Sequence, residues 1–375
     1  MRSTAIDRRR VLRGAAGLAA LAVVRGRDAR AGGEGGLFVS ARADAKGAYH
    51  VTGFRADGTV ALDLALQGRG HGSAFAPDGR VVHFARRPGR YALVLDPRRG
   101  RTEHVIESVE GRHFEGHGAF APDGRLLYAT ENAYEAARGV IGVYDATDAW
   151  RRVAEFDTGG MDPHEMRLMP DGETLVVANG GILTHPDYPQ ENLDPAGMDP
   201  SLAYLDRRDG RLISIHRLAA ELRQLSFHHL AVARDGTVFV VLQDAIRREE
   251  PVPLILGHRP GGALEPVDPG EGELRRLRGY CGSAALDGSE RILATTSPRG
   301  GVVLFWDREN RRAAGRLELA DVCGVAPAGP PGVFVVTSGI GGARLHDVAR
   351  ARSVELAAPV FADSHWDNHV FAAPA

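Results

Sequence analysis

Histidine and cysteine recur along this chain at regular intervals. Five of the 15 histidines and both cysteines follow one another in steps of roughly 45 residues, with one longer step. They are His71, His117, His164, His229, Cys281, Cys323 and His369. Imidazole nitrogens and thiolates are the side-chain groups that bind transition metals such as iron, copper and zinc. The pattern therefore predicts one candidate metal ligand in each of seven repeated units.

A turn motif repeats in step with these residues and identifies the units that carry them. Phe75–Val82 reads FAPDGRVV, and Phe120–Leu127 repeats it as FAPDGRLL. Shorter copies occur at Leu168–Gly172, Val232–Gly236 and Ala285–Gly288. The Asp-Gly pair supplies the positive φ that a tight hairpin needs, and two more strand-like segments follow. Because four strands in about 45 residues are typical of a propeller blade, we predict an all-β, seven-bladed β-propeller of four-stranded blades.

The seventh unit begins near His369, too close to the last residue to hold four strands. Three strand-like segments near the other end supply what is missing: Leu37–Ser40, Tyr49–Phe54 and Val60–Leu64. We therefore expect one C-terminal and three N-terminal strands to close the ring and leave no open strand edge. The long step in the repeat contains an insertion rich in Pro, Asp and Gly, from Gly181 to Pro200.

Propeller connectivity decides which residues share a face. The loops that lead into the innermost strands lie on the same face as the loops that join the second and third strands. The repeated histidines and cysteines stand where innermost strands begin, so they converge on the central channel. We predict a metal site there with His71, His117, His164, His229 and His369 as ligands and Cys323 as a further ligand. The alternative is that these histidines only hydrogen-bond between blades.

The spacing of the histidines within the repeats determines whether all of them can face the channel. His71 and His164 lie seven residues before the aspartate of their turns. His117 and His229 lie only six residues before theirs. A shift of one residue turns a strand side chain to the opposite face. All of these histidines face the channel only if β-bulges correct the register.

Other polar residues on the same face have two interpretations each. The arginines could hold an anion, or they are solvated loop charges. The carboxylates could orient imidazoles, or they cap turns. The residues predicted to support the site or to line the ligand face are His113, Glu165, Arg86, Arg87, Glu131, Asn179, His185, Arg299 and Asp367.

The two cysteines fall on neighbouring predicted blades and have three interpretations. A disulfide between Cys281 and Cys323 requires their Cα atoms to lie within roughly 7 Å, and such bonds are common in exported proteins. Either cysteine could instead ligate a metal, or it could simply pack in the core.

The first 31 residues differ in kind from the rest. Arg8-Arg9 precedes an apolar run from Gly14 to Val24, and Ala29-Arg30-Ala31 follows. This order is that of a signal peptide, and the paired arginines are typical of twin-arginine export. The apolar run of about ten residues is too short for a bilayer, which needs roughly 20. We predict a cleaved signal peptide over residues 1–31 and a single propeller domain over residues 32–375, in the periplasm and without a stable membrane span.

Composition and missing motifs exclude several function classes. The net charge of −2 provides no basic stripe for nucleic acid. The sequence has no Gly-rich phosphate loop, so no nucleotide cofactor is expected. It also has no G-x-S-x-G motif, which carries the nucleophilic serine of many hydrolases.

Eight segments of the chain resemble the bacterial family designated domain of unknown function 1513. They are Arg69–Gly72, Phe84–Gly89, Arg112–Phe114, Gly116–Gly118, Pro163–Glu165, Val177–Pro186, Thr296–Gly301 and Trp366–His369. The resemblance implies a twin-arginine-exported propeller of the YVTN or WD40 type. It also implies genomic association with imelysin-like and di-haem periplasmic proteins linked to iron uptake. Cys281 and His228 depart from the family pattern, where a non-cysteine residue and an arginine are expected, so the resemblance leaves both out of the ligand set.

Three functional hypotheses follow. The first is a periplasmic propeller that binds iron or copper at the His/Cys ring for metal uptake or handling. The second is a lactonase-like hydrolase or a redox enzyme that acts on an anionic substrate through His164-Glu165, Glu131 and the arginines. The third is a non-catalytic platform that binds imelysin-like or di-haem proteins.

Overall fold

The computed structural model describes residues 36–189 and 191–374, and this part of the chain forms 28 β-strands in seven four-stranded antiparallel sheets. The predicted signal peptide, residues 1–31, lies outside the described residues. Within the described ranges, no helix has the length and apolar character that a membrane crossing requires.

The first three strands belong to the seventh blade and are β1 (Phe38–Ala43), β2 (Tyr49–Phe54) and β3 (Val60–Ala65). Blade 1 contains β4 (Gly70–Phe75), β5 (Val81–Ala85), β6 (Tyr91–Asp96) and β7 (Arg101–Glu107). Blade 2 contains β8 (His113–Phe120), β9 (Leu126–Ala133), β10 (Arg138–Asp145) and β11 (Arg151–Asp157). Blade 3 contains β12 (Pro163–Leu168), β13 (Thr174–Asn179), β14 (Ser201–Asp206) and β15 (Leu212–Arg217).

Blade 4 contains β16 (Leu225–Val232), β17 (Val238–Asp244), β18 (Ile255–His258) and β19 (Glu265–Pro266). Blade 5 contains β20 (Ser283–Leu286), β21 (Ile292–Ser297), β22 (Val302–Asp307) and β23 (Arg312–Glu318). Blade 6 contains β24 (Val322–Pro327), β25 (Val333–Ser338), β26 (Ala343–Asp347) and β27 (Arg352–Glu355), and the last strand is β28 (His365–Ala372). Short helices occur at Tyr134–Ala136, Ala220–Leu222, Glu271–Arg276 and Pro359–Ala362.

The seventh blade joins the two ends of the described chain. Its strand order is β28-β1-β2-β3. In the β28–β1 pair Val39 lies opposite Phe371, and the backbone N–H of Ala373 donates to the carbonyl of Leu37 at 2.8 Å. The predicted closure by one C-terminal and three N-terminal strands is therefore confirmed, as are the seven blades.

The Asp-Gly turns join the first and second strands of their blades. In the turn after β4, Gly79 has φ +91° and its N–H donates to the carbonyl of Ala76 at 3.0 Å. Asp78 Oδ1 accepts a hydrogen bond from the N–H of Arg80 at 3.0 Å. Because strands alternate in direction, these turns lie on the face opposite to the loops that lead into the innermost strands.

The hydrophobic core lies between the blades, where neighbouring sheets pack face to face. Val39 of blade 7 and Val81 of blade 1 belong to one such cluster, and Phe84 of blade 1 and Phe114 of blade 2 belong to the next. Each innermost strand also contacts the innermost strand of the next blade, and β28 contacts β4 to complete the circle. This packing fixes the spacing of the innermost strands around the channel.

Candidate metal centre

The innermost strands that carry the predicted histidine ligands are each bulged at or beside the histidine. The β4–β5 register shifts between Gly70 and Ser73, around His71. The β8–β9 register shifts between Phe114 and Gly118, which includes His117. Comparable shifts occur in the pairings of β12, β16 and β28. These bulges correct the strand register. Histidines that lie six residues before the turn aspartate therefore reach the channel together with those that lie seven residues before it.

Six imidazoles from five blades form one buried cluster, with each residue between 2% and 7% exposed. The ring-centroid distances are 4.6 Å for His71–His369, 4.9 Å for His71–His117, 4.2 Å for His229–His369, 4.8 Å for His164–His229 and 4.1 Å for His164–His228. All five predicted histidines belong to the cluster. His228, which the family resemblance had left out, belongs to it as well.

Two triads within the cluster bring three imidazoles close enough together to be candidate metal ligands. His71, His117 and His369 form one, and His117, His164 and His229 form the other. In each triad one nitrogen per ring lies within 4.8 Å of the others. An ion about 2.0–2.1 Å from each nitrogen would hold the nitrogens about 3.4 Å apart. Each triad could therefore close on an ion by side-chain movements of about an ångström.

One carboxylate orients one imidazole of each triad. Nδ1–H of His71 donates to Oδ1 of Asp367 at 3.0 Å, and Nδ1–H of His229 donates to Oε2 of Glu165 at 3.0 Å. Because an ionised carboxylate can only accept, the proton sits on Nδ1 and Nε2 keeps its lone pair. Proteins commonly use this carboxylate–histidine pairing to fix a metal-ligating imidazole.

Burial and neighbouring charges favour neutral rings at His71, His117 and His369 and an ionised carboxylate at Asp367. Burial lowers the pKa of His71 to about 4 and the pKa values of His117 and His369 well below their usual range. Burial alone would raise the pKa of Asp367, but the hydrogen bond from His71 and nearby arginine charges hold it well below its usual range. Neutral imidazole is the form that binds metal.

Several imidazole nitrogens are buried without a hydrogen-bond partner among the described residues. They are Nε2 of His117, Nε2 of His369, Nδ1 of His164 and both ring nitrogens of His228. Each unpaired buried polar group costs about 1–3 kcal/mol. Each of these nitrogens is therefore free to donate to, accept from or ligate an external partner.

Two glycines allow His71 and His117 to pack side by side. A Cβ atom on Gly72 would meet His117 Nδ1 at 2.8 Å and would also collide with the carbonyl oxygen of Gly116. A Cβ atom on Gly116, which has φ +107°, would lie 2.6 Å from His71 Cδ2. The Gly-His-Gly sequences of blades 1 and 2 therefore serve the close approach of the two imidazoles.

Four arginines surround the cluster. Arg69 donates to Asp367, and Arg86 NH1 lies 3.5 Å from His71 Nδ1. Arg87 donates to Asp162 and also lies 3.6 Å from Glu115. Arg167 pairs with Glu165 at 2.6 Å.

The partners of Arg87 were not found from the sequence. Asp162 and Glu115 are fully buried, and burial raises the pKa of both carboxyls, that of Asp162 to about 7. They come from blades other than that of Arg87, and only their positions two residues before His164 and His117 could have pointed to them.

Cys323 lies beside the cluster, outside both triads. Its thiol donates to the carbonyl of Asp321 at 3.2 Å. It lines a cavity of ≈ 310 Å³ together with Arg69, Asp367 and His365. Cys281 and Cys323 are both free and buried, so they form no disulfide in the structure.

Two further residues of the predicted set lie in the neighbourhood of Arg87. His113 is 3.8 Å from Glu115 and stacks on Tyr134 at 5.9 Å. His185 also packs on the Tyr134 ring, at 5.1 Å. Neither histidine belongs to the two triads.

The remaining predicted residues have partners within their own blades or loops. Glu131 accepts from Tyr144 at 2.5 Å and from Arg152 at 2.7 Å. Asn179 donates to the hydroxyl of Ser201 at 3.1 Å. Arg299 lies over the ring of Tyr280 at 4.4 Å.

Comparisons with known proteins agree with this architecture. No curated protein shows significant sequence similarity to the chain. Among solved structures, a chain of Kuenenia stuttgartiensis hydrazine synthase is similar, with a TM-score of 0.58 and 15% sequence identity, over 85% of this chain and 94% of that chain. Similarity at this level of identity concerns the fold alone.

The sequence model of one family matches residues 64–373, which include all six clustered histidines. That family is described as protein of unknown function (DUF1513). The match covers most of the propeller, and it agrees with the motifs in the sequence. The chain belongs to the DUF1513 family.

Proposed function

We propose that this protein binds a transition metal ion, iron or copper, in the buried imidazole cluster, and that it serves metal uptake or handling in the periplasm. The observation that carries the proposal is that His117, His164 and His369 each have a buried nitrogen with no hydrogen-bond partner in the described part of the chain. All three rings belong to triads whose nitrogens already lie within 4.8 Å of one another.

The donor set supports a borderline transition metal over Mg²⁺ or Ca²⁺. Both triads consist of imidazoles alone, and imidazole suits iron, copper, zinc and nickel, whereas magnesium and calcium prefer oxygen ligands. The carboxylates of Asp367 and Glu165 are engaged with Nδ1 of His71 and His229. They would tune the imidazoles and would not need to ligate the ion themselves.

The two triads share His117, and this limits how many ions the cluster can hold tightly. The partnerless nitrogen of His117 is Nε2, and a single lone pair serves one ion at a time. We therefore expect one tightly bound ion per chain.

Metal analysis tests the proposal directly. Protein purified without chelators should contain iron or copper, or should bind one equivalent on anaerobic titration. His117→Ala should abolish tight binding because it damages both triads. His216→Ala is the matched control, since His216 packs against His258 at 4.1 Å in a pair outside the cluster. Protein that carries no metal and fails to bind iron or copper on titration would overturn the proposal.

The location and partners that we propose rest on the sequence. The twin-arginine pattern in residues 1–31 supports export, and the family resemblance supports imelysin-like or di-haem proteins as partners. Fractionation should place the processed protein in the periplasm, and affinity purification from periplasm should recover such a partner. Retention of the unprocessed chain in the cytoplasm would contradict the location.

A further inference from the structure

We propose that Arg86 holds a small inorganic anion against the metal ion of the imidazole cluster, so that the site takes a metal and an anion together. This inference rests on the proposed metal binding. It names an anionic ligand for the same site, and the residue that recognises it.

Arg86 lies on the solvent side of the cluster, where it could contact an anion bound to the metal ion. It follows β5 directly, on the face where the innermost strands begin. Its guanidinium lies 3.5 Å from His71 Nδ1, and its side chain is 26% exposed. Arg86 therefore lies between solvent and the His71 edge of the cluster.

Arg86 differs from the three other arginines around the cluster in its lack of a counterion of its own. Arg69 donates directly to Asp367, Arg87 to Asp162, and Arg167 lies 2.6 Å from Glu165. Among the described residues, the nearest carboxylate recorded for Arg86 is the already engaged Asp367, at 3.8 Å. A largely buried guanidinium with unused donors is suited to an anion.

A bound metal ion would add to the positive charge that an anion can neutralise. Imidazole ligates a metal as a neutral group, so the positive charge of the ion adds to that of Arg86. Three imidazoles also leave a position open on a four-coordinate ion. An anion in that position would neutralise charge and complete the coordination.

His228 offers a further unpaired group within the cluster. It contacts His164 at 4.1 Å between ring centroids yet belongs to neither triad. Both of its nitrogens are without a partner among the described residues, and its neutral ring carries one N–H donor. The clustered histidines are at most 7% exposed, so the cluster is closed to a bulky anion and a small one is proposed.

Azide is the probe that tests this inference, because its binding to Cu(II) produces a charge-transfer absorption. The copper content of each sample is measured first, and azide is then titrated into the copper-loaded protein. We expect saturable binding in the wild type and a loss of about tenfold or more in azide affinity in Arg86→Gln, as for a lost charge-assisted hydrogen bond. Arg86→Lys should recover part of the affinity because it restores the charge.

Arg90→Gln is the matched control, since Arg90 lies in the same loop, is exposed and donates to the carbonyl of Arg112 at 3.1 Å. It should bind azide like the wild type. Equal azide affinity in wild type and Arg86→Gln, both loaded with copper, would overturn the proposed anion site. It would not contradict the proposed metal site, since both proteins would still bind copper. Failure of the wild type to bind copper or iron would overturn the proposed function and this inference together.

Discussion

His71 and Asp367 meet where blade 1 adjoins blade 7, and Nδ1 of the imidazole donates to Oδ1 of the carboxylate at 3.0 Å. His229 and Glu165 repeat this relationship between blades 4 and 3, also at 3.0 Å. In both pairs the carboxylate comes from the blade next to that of its histidine. The orientation of one imidazole in each triad therefore depends on how neighbouring blades are docked. For His71 it depends on the strand that closes the ring.

Asp367→Asn should weaken metal binding by about 10- to 100-fold, the usual effect of losing a carboxylate that orients a ligating histidine. The amide cannot hold the proton on Nδ1 as an ionised carboxylate does, so Nε2 of His71 becomes less basic. Competition titration against a chelator of known affinity measures the change. Asp63→Asn is the control, because Asp63 pairs with Arg42 at 2.7 Å in the same blade. An equal loss of affinity in both variants would contradict a specific role for Asp367.

His228→Leu should stabilise the metal-free protein by about 1–3 kcal/mol, because it replaces a buried ring whose nitrogens are both unpaired with an apolar side chain. Urea unfolding of metal-free samples measures the difference in the free energy of unfolding. His258→Leu should have the opposite sign, since His258 Nδ1 lies 2.6 Å from the hydroxyl of Tyr204 and its Nε2 lies 3.2 Å from the carbonyl oxygen of Gly262. A destabilised His228→Leu protein would mean that His228 contributes to packing instead of being held for a ligand.

The seven blades and their closure could be predicted because their signals are local. An Asp-Gly turn such as Asp78-Gly79 fixes a hairpin through its own hydrogen bonds and the positive φ of the glycine. Repetition of that turn shows how often the unit occurs. The position of His369 near the end of the sequence then required the missing strands to come from the other terminus.

The site was predictable only in part, because bulges decide which side chains reach the channel. The extra residue opposite β17 places His228 in the cluster next to His229, against the family pattern. Cys323 also lies in a shifted stretch, between Val322 and Val325, yet it remains outside both triads. The pairing of Arg87 with Asp162 joins residues 75 positions apart, and no local pattern specifies such a contact.

Gly72→Ala should destabilise the protein by about 1–3 kcal/mol, the usual cost of forcing an extra methyl group into a filled space. The new Cβ would press on His117 Nδ1 and on the backbone of Gly116, so metal affinity should fall as well. Thermal unfolding and metal titration measure the two effects. Gly68→Ala is the control, because a Cβ there meets nothing within 4 Å. A Gly72→Ala protein as stable as this control would show that the blades can separate without cost.

The thiols of Cys281 and Cys323 should be unreactive in the native protein. Burial raises the pKa of Cys281 to about 12, and burial together with the charge of Asp321 raises the pKa of Cys323. The thiolate is the nucleophile, and its fraction grows only as the pH approaches these raised values. At about pH 8, Ellman's reagent should detect no fast thiol in folded protein and two free thiols after unfolding. A fast native reaction that Cys323→Ser abolishes would show that the cavity beside Asp367 opens onto this thiol, and would return Cys323 to the candidate metal ligands.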